Sequence, residues 1–410
     1  MKFLLTEVNS LLHIEADLIS TLASFSRVGD LKDLTFLAHS QRVAHISYRL
    51  GRALTLSRLE LKELVLSALM HDIGIMTYKE QLTLADLEPK KNHVASHCQV
   101  GYNLLKGTQT FGWLAQNILE HHDYHSSNLR IIPAILHLAD RVDILLDKNG
   151  YSLNQVDNLL HYFTLKSGHI FNPAVVDALR GLAKIPSFWL DLDYGNYTYY
   201  DEHDSFKHIL TLDELEELAQ LVTYLVDSKS QFTHDHSQAV TRVVAFLAGK
   251  LHMSQDHVRL LKIAAMVHDI GKLAIPDEIL LHPGALTREQ RLVMKQHTYH
   301  SYHLIRCIGP GAEHLAGWAS YHHERLNGTG YPFGLSASDL DREARLMAIA
   351  DMTESLLEAR PYRQGMSQER VAQILKNGVA AGHIDPELTD LALSYLDEIA
   401  EIVDACQKPA

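Results

Sequence analysis

At 410 residues the chain exceeds what one hydrophobic core usually organises, and with 46% hydrophobic side chains it carries apolar material for two. Its 37 basic and 50 acidic residues give a formal charge of −13, which argues against a general nucleic-acid or anionic-membrane binder, so no DNA or RNA polymer and no membrane is expected as a partner. Three cysteines (Cys98, Cys307 and Cys406) are too few and too widely spaced for a disulfide framework or a thiolate zinc knuckle, and they fit a reducing cytoplasm.

The opening stretch MKFLLTEVNSLLHIEADL is cut by Thr6 and Glu7, and no later run approaches about 18 apolar residues, so neither a signal peptide nor a membrane span is expected. Ser57 with Glu60 three residues on forms a capping box before the run that ends in HDIGI at His71. KNHVASHCQVG around His97, LEHHD at His121 and HLADRVD at Asp140 follow. The stretch IPSFWLDLDYGNYTYYDEHDSF is aromatic and acidic without a helical period, which puts a boundary near residues 190 to 206 and predicts domains at 1–200 and 201–410. Beyond it, LTLDELEELAQLVTYLVDS spaces Leu215, Leu218, Leu221, Val222 and Leu225 as one long amphipathic helix, opened by a second capping box, Thr211 with Glu214. HSQAV at His236, HDIGK at His268, a third box of Thr287 with Gln290, MKQHTYHSYH around His297, YHHER at His322 and AIADMTE at Asp351 complete the order. With 11 prolines, 22 glycines and no sustained strand alternation, the chain reads as all-α.

The two series are one series written twice. HSQRV precedes HSQAV, and HDIGI precedes HDIGK, by 197 residues in each case. The copies differ between the second histidine pair and the aspartate, where 18 positions separate His122 from Asp140 but 28 separate His323 from Asp351. The extra ten positions correspond to the glycine-rich ERLNGTGYPFG segment.

Histidine is the compositional outlier at 27 copies, and imidazole is both a common metal ligand and a general acid or base. His268 and Asp269 end a strongly apolar helical run, where an unpaired charge is costly. Alone, that dipeptide reads as a buried hydrogen bond. His236, His297, His322, His323 and Asp351 recur at matching places in the repeat, and that shifts the reading to a dinuclear centre of imidazole and carboxylate ligands. Without thiolate, such a set suits Mn, Fe or similar divalent ions better than structural zinc. Two such cations acidify a bridging water and clamp phosphoryl oxygens, which suits phosphodiester hydrolysis by a metal-bound hydroxide. Lys272, one turn beyond Asp269, is placed to neutralise a phosphate oxygen, and its counterpart is Ile75; Arg360 and Arg363 in EARPYRQG offer bidentate phosphate contacts.

HDIGK, the downstream His297, HHERLNGTGYP from His322 to Pro332, AIAD ending at Asp351 and RPYR from Arg360 together resemble the HD-GYP phosphodiesterases over roughly residues 225 to 400. The first half is similar to a degenerate HD domain of the same lineage. The resemblance implies two tandem HD-type helical domains, the second catalytic and the first regulatory or structural. It also implies a two- or three-metal centre and hydrolysis of a bacterial cyclic-dinucleotide signal, cyclic di-GMP or 3′,3′-cyclic GMP-AMP, to a linear 5′-phosphorylated dinucleotide. Carried over by position, His236, His268, Asp269 and Asp351 surround one cation, and His297, His322, His323 and the shared Asp269 the other. Asp269 and Lys272 are the catalytic pair, and Lys272, Arg360 and Arg363 fall at phosphate-contacting positions. Asn327 and Glu354 stand where the family commonly has aspartate. Residues 228 to 233 lack the additional glutamate of trinuclear members, with Asp227 and Asp235 as substitutes, so two cations are expected. The rival reading is a non-catalytic cyclic-dinucleotide sensor or interaction module. The oligomeric state, a homodimer included, is left open.

Overall fold

The computed structural model describes residues 14, 16–30, 38–75, 91–200, 208–229, 234–282, 284–359 and 364–407. Among them there is no strand, only isolated bridges such as Asp17 with Ile209, and the protein is all-α. No described helix is long and apolar enough to cross a membrane.

Two compact units divide the chain: Phe25–His208, and Met1–Ser24 together with Ile209–Ala410. A division at residue 200 places residues 16–24 in the first half, whereas in the structure they join the second unit. Helix α1 (Leu18–Asp30) begins there. Leu210 N donates to Ala16 O at 2.8 Å, and Ser24 Oγ to Leu304 O at 2.8 Å, while Leu18, Ile19 and Leu22 are buried. Three apolar side chains of that size are worth roughly 1.5–3 kcal/mol each, and hydropathy alone does not say which core receives them.

In the unit Phe25–His208, the helices that carry the histidine motifs are α2 (His39–Ala53), α3 (Arg58–Met70), α4 (Lys91–Leu105), α5 (Ala115–Glu120) and α6 (Ile131–Leu145). Both halves of the Ser57–Glu60 capping box form, and Leu61, Leu64, Val65, Ala68 and Leu69 place one buried stripe along α3. Helices α7 (Val156–Lys166), α8 (Pro173–Leu182) and α9 (Pro186–Tyr194) follow. Helix α9 departs from expectation, because it lies in the stretch read as lacking a helical period. Pro186 at its first turn and Gly195 (φ 74°) at its end fit a helix of nine residues, too short for its buried Phe188, Trp189 and Leu192 to show a period.

The other unit repeats the order with α10 (Leu212–Lys229), α11 (His234–Lys250), α12 (Gln255–Val267), α13 (Gln296–Arg306), α14 (Ala312–Ser320) and α15 (Arg342–Leu357), and closes with α16 (Gln368–Ala380), α17 (Pro386–Ser394) and α18 (Leu396–Cys406). The expected long amphipathic helix is α10, with Leu215, Leu218, Leu221 and Val222 buried, and the boxes at Thr211–Glu214 and Thr287–Gln290 both form. The repeat extends to packing: α2 lies on α3 and α6 as α11 lies on α12 and α15, and α4 lies on α5 as α13 lies on α14.

Candidate metal centre and active site

Helix ends build the centre. His268 caps α12, His297 follows the short helix Arg288–Met294, and His322 comes two residues after α14. Each donates its Nδ1–H to the carbonyl three residues back: His268 to Ala265 and His297 to Met294 at 2.7 Å, and His322 to Ala319 at 2.8 Å. Those carbonyls have no onward partner in their helices. The bonds fix the tautomer and turn all three Nε2 atoms inward. His236 on α11 is oriented differently, with Nδ1 donating to Glu354 Oε2 at 2.6 Å.

Asp269 sits at the middle with its two oxygens facing different imidazoles. Oδ2 lies 3.2 Å from His268 Nε2 and 3.7 Å from His236 Nε2, while Oδ1 lies 3.4 Å from His297 Nε2. Asp351, in the middle of α15, approaches His236 Nε2 at 3.5 Å. Donor atoms gather within 4.8 Å in three overlapping groups: His236–His268–Asp351, His268–Asp269–His322 and His297–His322–His323.

The donors fit a cation. The buried Nε2 atoms of His268 and His297 and Oδ1 of Asp269 have no hydrogen-bond partner among the described residues, a costly state for polar atoms in a dry interior unless a positive ion meets them. Burial pushes His297 to about 3 and His322 to about 4, so both present lone pairs at neutral pH. Burial alone would raise Asp351, but the imidazoles of His322, His236 and His268 hold it at about 2. For His236 burial opposes charge, yet Glu354 and Asp351 lift it to about 9, so that ring keeps a proton on Nδ1 and competes for one at Nε2.

Lys272 rests on Asp269, its ammonium paired with Oδ2. Gly271 explains the fixed spelling of the motif: a Cβ there would stand 2.0 Å from His297 O, so only glycine lets the turn after α12 lie against α13. Ser301 completes that contact, accepting from Gly271 N at 3.0 Å and donating to His268 O at 2.8 Å.

The glycine-rich loop is organised by a residue the motif reading passed over. Glu324, buried beside His323, accepts from the backbone N–H groups of Phe333 (2.7 Å), Gly334 (3.2 Å) and Leu335 (3.0 Å), wrapping the loop around its carboxylate. Asn327 accepts from Thr329 N at 3.2 Å and Thr329 Oγ1 at 2.7 Å and donates Nδ2 to Ala381 O at 3.2 Å. Beside the metal ligands opens a cavity of about 630 Å³, lined by His322, His323, Tyr331, Met352, Asn377 and His383 among others. Lys295 lies over the Tyr331 ring, 4.7 Å from its centre.

Arg360, Arg363 and the side chain of Asp235 lie outside the described residues. Asp227 accepts from Ser237 Oγ at 2.8 Å, one position along from His236. Glu354 stands where the family commonly has aspartate, and its contact with His236 is one that the motifs do not name. The repeat held a signal for it, because Asp143, three residues after Asp140, meets His39 Nδ1 at 2.7 Å just as Glu354, three residues after Asp351, meets His236.

The first half assembles the matching set. His71 and His121 donate Nδ1–H to Ala68 and Ile118 at 2.7 and 2.6 Å, and a Cβ on Gly74 would stand 1.9 Å from His97 O. Donors gather as His39–His71–Asp140 and as His97–Cys98–His121–His122. Ile75, at the lysine position, packs on Cys98.

Helices that bring histidines and an HD pair to one buried centre define an HD-type protein, and the family model described as "HD domain" matches residues 220–388, with a second HD domain matching residues 36–145. The chain is 30% identical over 374 residues to the 3′3′-cGAMP-specific phosphodiesterase 1 of Vibrio cholerae serotype O1, covering 86% of each. It is 38% identical over 196 residues to the cyclic di-GMP phosphodiesterase response regulator RpfG of Xanthomonas campestris pv. campestris, covering 46% of this chain and 49% of that one. Its fold is that of a solved V. cholerae structure, a cyclic GMP-AMP specific phosphodiesterase, with TM-score 0.64 and 20% identity over 93% of this chain and 98% of that one. The chain therefore belongs to the HD-GYP-like cyclic-dinucleotide phosphodiesterases, a family of metal-dependent HD-domain enzymes.

Proposed function

We propose that the chain hydrolyses a phosphodiester bond of 3′,3′-cyclic GMP-AMP, with cyclic di-GMP as the second candidate, to a linear 5′-phosphorylated dinucleotide in the cytoplasm. The unit that contains Ile209–Ala410 carries the chemistry in this reading, and the unit Phe25–His208 is regulatory or structural. The observation that carries it is the divided carboxylate of Asp269, with Oδ2 turned to His236 and His268 and Oδ1 to His297. A carboxylate so placed suits a ligand shared by two cations. When bound, a pair of divalent ions of the Mn or Fe type supplies an acidified water and charge neutralisation at phosphorus.

The protein's part is to hold and to neutralise. His236, His268 and Asp351 form one side of the cradle and His297, His322 and His323 the other, each closed by Asp269. Lys272 brings a positive charge beside Asp269, where it neutralises a non-bridging phosphate oxygen, and Arg360 and Arg363 hold the outer phosphate. The cavity of about 630 Å³ beside His322 and His323 falls in the size range of small-molecule sites, which suits a cyclic dinucleotide.

The preference for cyclic GMP-AMP rests on extent. The relative named for that substrate matches through both halves, whereas the relative named for cyclic di-GMP matches 46% of the chain. Turnover of each cyclic dinucleotide by the Mn-reconstituted protein, with product analysis, tests the reading. Cleavage to a linear product supports it, and failure on both by a metal-loaded protein replaces it with the sensor.

A further inference from the structure

We infer that the cavity between the end of α6 and the end of α9 is a second ligand site, shaped for a nucleoside monophosphate. It does not depend on the substrate chosen above. The cavity measures about 500 Å³ and is lined by Arg42, Lys148, Tyr151, Asp193, Tyr194 and Tyr197 among others. That volume falls in the range of small-molecule sites. Its outer wall comes from the aromatic stretch IPSFWLDLDYGNYTYY, which the proposed hydrolysis does not use.

The floor is cationic, and only in the first half. Arg42 follows His39 by three positions and Lys148 follows Asp140 by eight, whereas the matching residues after His236 and Asp351 are Ala239 and Ala359. Arg42 Nε reaches Asp143 Oδ1 at 2.5 Å, and Lys148 Nζ reaches the same oxygen at 2.8 Å and Asp143 O at 2.5 Å. An ammonium carries three N–H donors, so with two of them on Asp143 the third is left for a ligand. Arg42 is only 7% exposed, and packing holds its charge in place. Two cations that share one carboxylate oxygen favour a second anion beside them, and phosphate accepts from both kinds of head group.

Above this floor stand aromatic faces. Tyr151 and Tyr194 line the cavity yet are 71% and 70% exposed, open to a stacking base. The rim beneath them is tied down before any ligand arrives. Gln155 holds the turn after α6 from both sides, accepting from Asp147 N at 2.8 Å and donating to Asp147 O at 3.0 Å. The lining carboxylates are turned to the protein: Asp193 accepts from Ser152 N at 3.2 Å and from the Ser152 hydroxyl, and Asp147 accepts from Asn149 N at 2.9 Å. One anion position beside one aromatic rim fits a single nucleotide, its phosphate inward and its base outward.

The test is titration of GMP and AMP into the full chain in EDTA, with inorganic phosphate and spermidine as comparisons, and a crystal of the unaltered chain grown with GMP. One equivalent of nucleotide should bind about tenfold or more weakly in Tyr151→Ala/Tyr194→Ala, which removes two exposed rings, and in Lys148→Met. Inorganic phosphate should bind at least about tenfold more weakly than the nucleotide. The crystal should show phosphate beside Lys148 and the base against Tyr151 or Tyr194. No binding of either nucleotide, affinities unchanged in both variants, equal binding of phosphate and nucleotide, or preference for spermidine overturns the inference. GMP found only at the second-half centre overturns it too, and that map decides the matter even where a variant fails to fold.

Discussion

Asp269 of the second half is paired with Lys272, whereas the corresponding position of the first half is Ile75, packed on the Cys98 thiol. Around these positions the two halves keep the same helix-end bonds, the same glycine against a histidine carbonyl and the same ligand order. They differ in what surrounds the ligands: a loop wrapped on Glu324 and an open cavity in one, Arg141 buried against Asp140 in the other. The scaffold that gathers imidazoles is therefore separable from the groups that would act on a phosphate. Backbone geometry maintains the first, while a few charges and one loop decide the second.

The largest expected contrast is between paired ligand deletions. His268→Ala/Asp269→Ala should lower hydrolysis by at least about 10³-fold by removing the ligands that hold the reacting water. His71→Ala/Asp72→Ala should leave saturating turnover within about threefold, as that half lacks the lysine and the loop. Loss of hydrolysis from the first-half pair, in a folded protein whose second-half metals are intact, would break the division of labour. Lys272→Ala comes next, with kcat down about 10²-fold and metal content preserved. Metal analysis alongside kinetics sharpens this, because parallel loss of metal would make the lysine a support of the centre.

Gly271→Ala and Gly74→Ala should each cost about 2 kcal/mol or more in urea melts, since the added Cβ meets a carbonyl oxygen that cannot move without its helix. A silent Gly74→Ala would mean the first-half turn is not held as its twin is. Glu324→Gln should raise KM about tenfold, the neutral amide holding three loop N–H groups less firmly than the carboxylate. The first half has no counterpart loop, so its metal content should not change. The smallest effect is Asn327→Asp, about 0.5–1 kcal/mol of stability, because aspartate keeps the bonds from Thr329 but cannot donate to Ala381 O. A stabilised variant would show that the family's aspartate suits this loop as well.

Much of this was legible in the chain, for reasons visible at particular residues. Capping boxes and the periodic leucines of α10 act within a few positions, so their spacing shows directly in sequence. The repeated histidine and aspartate motifs named the side chains that the structure brings within 4.8 Å. Long-range polar partners were not legible. Glu354 meets His236 from 118 residues away, and the acid repeated three residues after Asp140 and Asp351 marks the position without naming its partner. Glu324 acts through backbone N–H groups, which every residue but proline offers, so its acceptors leave no trace in composition. Arg141 reads as an ordinary charge in a helix until its burial against Asp140 is seen. Helix α9 escaped because nine residues with aromatic side chains do not span enough turns to display a period.

The union of Met1–Ser24 with Ile209–Ala410 carries a consequence for how the molecule is made. The unit Phe25–His208 is an insertion, so the earliest-translated part of the other unit must wait for its partners. Thr21 Oγ1 bonds Ile308 O across 287 residues and Ser24 Oγ bonds Leu304 O across 280. At about 5–20 residues per second, Leu18, Ile19 and Leu22 spend on the order of tens of seconds outside the ribosome before their burial site exists. The inserted unit can fold during that interval, so translation order gives it a head start over the half that carries the HDIGK motif.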